Sequence, residues 1–155
     1  PLRFNLAHTR GMAAVAVARD CAVGVDVEHL ERAVEPGLAR VALADLEIRQ
    51  LEGLKGTAWA EAFFAFWTLK EAYLKATGAG LFYPLQEFGF HLAPGRPPRI
   101  EFTDRVRDDP EHWQFWQDRT HPRHQGAVAV RREGRPALSL AVFRADLAAW
   151  VGEAS

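Results

Sequence analysis

The sequence predicts an α+β fold in which an antiparallel sheet packs on one long buried helix. Segments with strand character come first, helical segments follow and further strands come last, so the alternation that builds a parallel sheet is missing. The longest helical segment carries aromatic residues on more than one face, which predicts that this helix is buried. With 155 residues, 48% of them hydrophobic, the chain can bury a sizeable core.

Three apolar runs open the chain and predict its first strands. They extend from Phe4 to Ala7, from Met12 to Ala18 and from Ala22 to Val27. The pairs Arg10-Gly11 and Arg19-Asp20 separate these runs in the way that tight turns separate strands. We therefore predict an antiparallel meander of three consecutive strands.

Two helices are predicted next. Helical spacing of apolar residues begins after Pro36 and predicts a first helix that ends near Gly53. The second helix, the long buried one, is predicted from about Thr57 to Thr77. Thr57 is a residue type that caps helix starts, and Gly78 supplies a stop.

Short strands with intervening prolines and glycines are predicted after Pro84. The composition of residues 93–98 predicts a loop. The predicted strands are Glu87 to Leu92, Arg99 to Phe102, Trp113 to Gln117, Gly126 to Arg131 and Ala137 to Phe143.

Charge and cysteine content exclude several classes of function. The formal net charge is −1, so no bulk electrostatic attraction favours nucleic acid or an anionic membrane. Cys21 is the single cysteine, which excludes an internal disulfide and a cysteine-rich zinc site. No apolar stretch is long enough to span a bilayer and no signal peptide opens the chain, so we expect a cytoplasmic protein.

The segment Gly24-Val25-Asp26-Val27-Glu28 is the first candidate for chemistry. Side chains alternate between the faces of a strand, so Asp26 and Glu28 point to the same side while the valines point into the core. Two neighbouring carboxylates repel each other unless solvent or a cation relieves the repulsion. The segment is therefore either a solvated strand edge or a site for a hard divalent cation that also meets a phosphate-bearing substrate.

The second candidate is a stripe on the long helix. Trp67, Glu71 and Lys75 lie four residues apart and share one helix face. Taken alone, they are explained by an ordinary Glu-to-Lys pair beside a core tryptophan. The helix is otherwise apolar nearly all round, however, and charges in such a setting need a partner or a ligand. Glu71 would then complete a three-carboxylate metal site, with Lys75 beside it to meet phosphate oxygens.

Other histidines and aromatic residues give weaker signals. His8 lies at a strand end, where a structural role is the usual explanation for a lone histidine. His121 and His124 suggest a metal pair, but the Pro-Arg sequence between them is explained more simply by a loop. Trp113 and Phe115 share a strand face, so core packing explains them better than cofactor stacking does.

Three sequence blocks together resemble the larger, two-lobed (surfactin-synthetase-activating) class of the 4'-phosphopantetheinyl transferase family. They are Phe4-Asn5-Leu6-Ala7-His8-Thr9, the Gly-Val-Asp-Val-Glu block at 24–28, and FAFWTLKEAYLKATGAGL from Phe64 to Leu81. The last block, built on Trp-x-x-Lys-Glu-Ala-x-x-Lys, is very specific. The resemblance covers essentially the whole chain and is weak beyond about Leu92.

This resemblance implies a magnesium-dependent enzyme. Such an enzyme moves the 4'-phosphopantetheine arm of coenzyme A to a serine of an acyl or peptidyl carrier protein and releases 3',5'-adenosine bisphosphate. The resemblance makes Asp26, Glu28 and Glu71 the magnesium ligands. Lys75 would contact the pyrophosphate of coenzyme A, and His8 would meet the 3'-phosphate of the nucleotide.

A proposed base and one departure from the family pattern complete the comparison of motifs. Glu47 falls where the family often has a glutamate proposed as general base, so Glu47 or a metal-bound water would accept the proton of the serine. The first family motif usually has the sequence Ser-His-Ser, whereas here Ala7 and Thr9 flank His8. This departure predicts either a tighter dependence on His8 or weaker nucleotide binding.

Members of this class have two similar halves, with the active site in the cleft between them. The resemblance divides the chain into residues 1–23, the terminal strands of a truncated first lobe, and residues 24–155, the second, magnesium-binding lobe. Since the sequence starts at Pro1, we expect the start of a longer protein to be missing, so that a first lobe or a second chain completes the site. One alternative is a half-domain that binds a carrier protein or coenzyme A without turnover. Another is a structural α+β protein with chance motifs, which would bind neither magnesium nor coenzyme A.

Overall fold

The computed structural model describes residues 1–35, 37–80, 83–119 and 121–145, and these form an α+β fold. Strands come first, three helices follow and four strands come last, which confirms the predicted order of elements. The helices are α1 (Leu38–Ala42), α2 (Asp45–Leu51) and α3 (Gly56–Thr77). The strands are β1 (Leu2–Thr9), β2 (Met12–Arg19), β3 (Ala22–His29), β4 (Phe88–His91), β5 (Arg99–Phe102), β6 (Trp113–Asp118) and β7 (His124–Arg131).

The strands form three small antiparallel sheets. β1 and β2 make a hairpin, β4 pairs with β5, and β7 lies between β3 and β6 in a three-stranded sheet. The predicted meander is therefore wrong in its third strand, because β3 hydrogen-bonds to β7 and not to β2. β3 is buried on both faces from Val23 to His29. One face of β3 packs against the hairpin and the other against α3, so both faces are buried. Because the hairpin covers a face of β3, it does not also pair with an edge of β3, and the distant β7 is the hydrogen-bonded partner.

Helix α3 is the scaffold of the fold and is buried along most of its length, as predicted. It ends at Gly78, whose φ of 71° gives the left-handed cap that glycine adopts without strain. The predicted cap at Thr57 is wrong, because Lys55 holds the N-cap position and makes no side-chain cap hydrogen bond. The large apolar side chains of α3 with at most 2% of their surface exposed are Phe63, Phe64, Phe66, Leu69 and Tyr73.

The predicted first helix is divided into α1 and α2. The chain is extended at Leu43 and Ala44, with ψ angles of 144° and 159°. This break buries Leu43 in the core. Periodicity over the whole segment did not predict the break, because apolar residues continue through it.

Most of the later predictions are close to the structure, with one exception. The strands around Phe90, Ile100, Phe115 and Val128 form as predicted, and residues 93–98 are a loop. The predicted strand from Ala137 to Phe143 is wrong, since these residues are described without regular structure. Leu138 bonds through its N–H and C=O to the side chain of Gln114 instead of to a neighbouring backbone.

The hairpin has one packed face and one exposed face. Its packed face uses small residues, including Ala7 and Ala16, and contributes to a cluster with the valines of β3. Its outer face exposes apolar side chains, with Phe4 76% accessible. We call this outer surface the hairpin face; its large apolar residues are Leu2, Phe4, Leu6, Val15 and Val17.

In the ranges that the structure describes, no helix combines the length and the hydropathy required to cross a membrane.

Candidate active site

The candidate site lies where strand β3 packs directly on helix α3. Gly24 makes the close contact possible, because a Cβ at this position would overlap the carbonyl oxygen of Ala72 and lie 2.6 Å from the amide nitrogen of Ala76. The missing side chain lets the two backbones approach. Because of the strand alternation, the side chains of Asp26 and Glu28 then follow on the face that meets α3.

Asp26 is buried, with 7% of its surface exposed, and forms an ion pair with α3. Its Oδ1 lies 2.7 Å from Nζ of Lys75, which also donates to the carbonyl oxygen of Val25 at 3.1 Å. Oδ2 of Asp26 is buried and has no hydrogen-bond partner among the described residues. Burial raises the pKa of Asp26, Lys75 opposes this shift and the charge of Glu28 adds to it.

Glu28 is held by two donors, both on the same oxygen. Nη1 of Arg32 lies 2.7 Å from Oε1 of Glu28, and Nε1 of Trp67 donates to the same oxygen at 3.2 Å. The carboxylate is therefore buried but compensated. The solvated strand edge, one of the two interpretations of this segment, does not describe these two acids, since both are buried where β3 meets α3.

Glu71 lies within the electrostatic range of both acids. Burial raises its pKa, the charges of Asp26 and Glu28 raise it further, and Lys75 lowers it. Glu71 and Lys75 also line a cleft of about 370 Å³, together with Asn5 from β1 and residues at the end of α3. The structure thus brings Asp26, Glu28, Glu71 and Lys75 together beside an open space.

The carboxylates do not converge on one point in their present positions. Within the described ranges, no three His, Cys, Asp or Glu side chains form a group that could hold a metal ion. Lys75 and Arg32 each occupy one carboxylate oxygen instead. The site nevertheless has the carboxylate oxygens that a hard cation prefers as ligands. A cation would also give the unpartnered Oδ2 of Asp26 a partner and relieve the repulsion between the acids. The assignment of magnesium ligands stays a prediction.

Glu47 lies in the core and not beside the cleft. Its side chain is 0% exposed, and Oε2 lies 2.7 Å from Nζ of Lys70, which is also 0% exposed. Glu47 Oε2 accepts from the N–H of Ala44 at 2.9 Å, and its Oε1 accepts from the N–H of Phe90 at 3.0 Å. Lys70 in turn donates to the carbonyl oxygen of Phe88 at 2.5 Å. This arrangement gives Glu47 a structural role, and the geometry does not favour the predicted general base.

His8 is exposed on the hairpin face. It pairs with Ala13 across the hairpin, and the strand alternation directs it to the side opposite Asn5, which lines the cleft. The structure therefore does not bring His8 to the group formed by Asp26, Glu28, Glu71 and Lys75. Its contact with a nucleotide stays a prediction.

The sequence interpretation missed three groups at the site. Asn5 accepts a hydrogen bond from the N–H of Val25 at 3.0 Å, which joins the hairpin to β3. Arg32 follows Glu28 at a spacing of four residues, a recognisable ion-pair spacing in a turn or helix. Trp67 was assigned to the core, although its place one turn before Glu71 puts its N–H on the site face. Leu81, which ends the predicted motif, lies outside the described residues.

Comparison with known proteins gives one family over most of the chain. The family model of the 4'-phosphopantetheinyl transferase superfamily matches residues 22–131. A curated relative, 4'-phosphopantetheinyl transferase HetI of Nostoc sp., is 36% identical over 101 residues, which are 64% of this chain and 42% of that protein. The chain spans less than half the length of the curated relatives that it matches first.

Solved structures give the same fold. The holo-[acyl-carrier-protein] synthase of Thermotoga maritima is similar with a TM-score of 0.56 and 26% identity, over 72% of this chain and 63% of that one. A holo-(acyl-carrier-protein) synthase of Bacillus anthracis, solved in complex with CoA (3',5'-ADP), gives a TM-score of 0.58 at 22% identity. That alignment covers 72% of this chain and 96% of the Bacillus chain.

Proposed function

This chain belongs to the 4'-phosphopantetheinyl transferase superfamily, and we propose that it moves the 4'-phosphopantetheine arm of coenzyme A to a serine of an acyl or peptidyl carrier protein. In this reaction the serine hydroxyl attacks the β-phosphorus of coenzyme A, and 3',5'-adenosine bisphosphate leaves. One observation carries the proposal. Three acids, Asp26, Glu28 and Glu71, and the amine of Lys75 occupy a single crossing of β3 and α3, beside a cleft.

The acids would hold a magnesium ion. Asp26, Glu28 and Glu71 supply carboxylate oxygens, which are the ligands that this hard cation prefers. When bound, the ion would neutralise charge on the phosphate groups of the substrate. The buried, unpartnered Oδ2 of Asp26 supports this assignment, because a buried acceptor without a donor is costly.

Lys75 would bind and orient the pyrophosphate. Its ammonium group is partly exposed, with 29% of the side chain accessible, and lines the cleft. The contact with Asp26 keeps the amine at the β3 side of the cleft in the free protein. Phosphoryl transfer depends mainly on positioning and on offsetting negative charge, and a fixed amine serves both needs.

A first lobe or a second chain would complete the site. The hairpin face exposes five large apolar side chains that are neighbours across the strand pair, and a contiguous exposed apolar patch is typical of an interaction surface. The opposite side of the same hairpin reaches the cleft through Asn5. A lobe that covered Phe4 and Leu6 would lie on the side of the hairpin away from Asn5, and it would have to extend past the edge of the hairpin to reach the acids. His8 shares the hairpin face, so a nucleotide phosphate bound by His8 would lie between this face and the covering lobe.

Mass spectrometry tests the transfer directly. An apo carrier protein is incubated with this chain, coenzyme A and Mg²⁺, and a mass gain of one phosphopantetheine supports the enzyme. Binding of coenzyme A without a mass gain supports instead a half-domain that needs a covering lobe, an alternative favoured by the exposed hairpin face. If the chain neither binds coenzyme A nor transfers phosphopantetheine, the result contradicts both the enzyme and the half-domain.

A further inference from the structure

Two donors of different character share one oxygen of Glu28. Trp67 donates to Oε1 through its indole N–H at 3.2 Å, and Arg32 through its guanidinium at 2.7 Å. Within the described residues, the hydrogen bonds to the Glu28 side chain all go to Oε1. Oε2 is thereby left for another ligand, on a carboxylate whose charge acts on both Asp26 and Glu71.

Trp67 is a rigid donor. Its ring stacks on Phe63 with a centroid distance of 6.1 Å and an interplanar angle of 16°. Phe63 stacks in turn on Trp59 at 5.5 Å and 10°. The three rings form a column along α3 at a spacing of four residues, so the direction of the Trp67 N–H is set by packing and not by the site alone.

Arg32 is a more exposed donor, and it carries a charge. It follows β3, and 51% of its side chain is exposed, against 12% for the Glu28 side chain. Its charge neutralises Glu28 in the free protein, but the same charge would repel a divalent cation that approaches the acids. An indole N–H is neutral and can only donate, so it orients the carboxylate without this repulsion.

We propose that Trp67 is a positioning residue for the cation site: its indole N–H fixes Oε1 of Glu28 so that Oε2 is presented to the ion. Arg32 occupies Glu28 in the free protein and lowers the affinity for the ion. This inference rests on the proposed function, since it assumes that Asp26, Glu28 and Glu71 bind a divalent cation. Removal of a group that hydrogen-bonds to a metal ligand and orients it commonly weakens metal binding by about tenfold or more.

Calorimetric titration of the full chain with Mg²⁺, and with Mn²⁺ as a second probe, tests the proposal. Trp67→Phe keeps the stacked ring and removes only the N–H donor, and we expect about tenfold weaker cation binding. The matched control is Trp59→Phe, which makes the same change in the same column about 12 Å along the helix; we expect unchanged affinity. Arg32→Gln should bind the cation more tightly than the unmodified chain.

The outcomes separate this inference from the proposed function. If the wild-type chain binds the cation and the two variants Trp67→Phe and Trp59→Phe bind it equally well, the positioning role of Trp67 is wrong. The proposed function is not affected by that outcome. A wild-type chain that binds neither ion removes the metal part of the proposed function and this inference with it. A second measurement uses no metal: in the ¹⁵N spectrum, Glu28→Gln should shift the indole N–H signal of Trp67 and leave that of Trp59 in place. An unshifted Trp67 signal also overturns the proposal.

Discussion

The amino group of Lys75 lies 2.7 Å from Oδ1 of Asp26 and 3.1 Å from the carbonyl oxygen of Val25. One side chain of α3 thus holds both the backbone and an acid of β3. The contact stabilises the crossing of strand and helix while it keeps a cation beside the cleft. Structure and proposed chemistry therefore depend on the same amine.

Lys75→Met should destabilise the protein. The substitution retains the aliphatic part of the side chain but leaves Asp26 buried without its counter-charge, and we expect a loss of about 1–3 kcal/mol in the free energy of unfolding. Urea denaturation measures this loss. The control is Lys55→Met at the exposed start of α3. If both variants unfold at the same urea concentration, the ion pair contributes nothing to stability.

Glu71→Gln should have opposite effects on stability and on transfer. Burial, Asp26 and Glu28 raise the pKa of Glu71 above its ordinary value of 4.5. Above pH 4.5 the folded protein therefore binds more protons at this site than the unfolded chain does, and stability falls as the pH rises through the raised pKa. Glutamine removes that penalty, so the metal-free variant should gain about 0.5 kcal/mol at neutral pH. Magnesium-dependent transfer should be abolished.

Glu61→Gln on the same helix is the control for this prediction. Glu61 pairs with Arg119 at 3.1 Å on the surface, so its replacement should leave transfer intact and produce no gain in stability. Retained transfer by Glu71→Gln would remove that residue from the set of ligands. A stability difference between wild type and Glu71→Gln that does not change with pH would contradict the electrostatic explanation.

Local periodicity predicted most of the elements and the faces of the site. Alternation put Asp26 and Glu28 on one side of β3, and the spacing of four put Glu71 and Lys75 on one side of α3. The structure brings these two faces together. Both patterns are properties of a single element, so they can be derived from neighbouring residues without knowledge of the tertiary fold.

Contacts between distant segments could not be predicted in the same way. β3 selects β7, about 100 residues later, because both of its faces need cover, and no local signal encodes that partner. The exposed orientation of His8 depends on the register of the hairpin against Ala13. Glu47 has the composition of a candidate base, and only the tertiary position of Lys70 reveals its burial.

Glu47→Gln should affect folding before it affects catalysis. The substitution leaves the ammonium group of Lys70 buried without a counter-charge, and we expect a loss of about 3–5 kcal/mol in the free energy of unfolding. Combining it with Lys70→Met removes both charges, while the amide oxygen still accepts a backbone N–H, so part of the stability should return. Thermal and urea unfolding measure both effects.

The double variant also decides between the two roles of Glu47. Transfer activity that returns together with stability supports the structural role that the hydrogen bonds to Ala44 and Phe90 indicate. A stable double variant without activity would instead favour the general base predicted from the sequence.

Gly24→Ala should separate the two elements that form the site. A Cβ at position 24 would overlap the carbonyl oxygen of Ala72, and both groups belong to backbone that cannot rotate away. We expect a loss of about 1–3 kcal/mol or more in stability, together with loss of transfer, because β3 must move away from α3 and take Asp26 with it. The control is Gly37→Ala, where φ is −84° and no atom lies within 4 Å of the new Cβ. We expect Gly37→Ala to keep the stability and transfer of the wild type. If Gly24→Ala also kept both, the close contact between β3 and α3 would not be required to hold the acids in place.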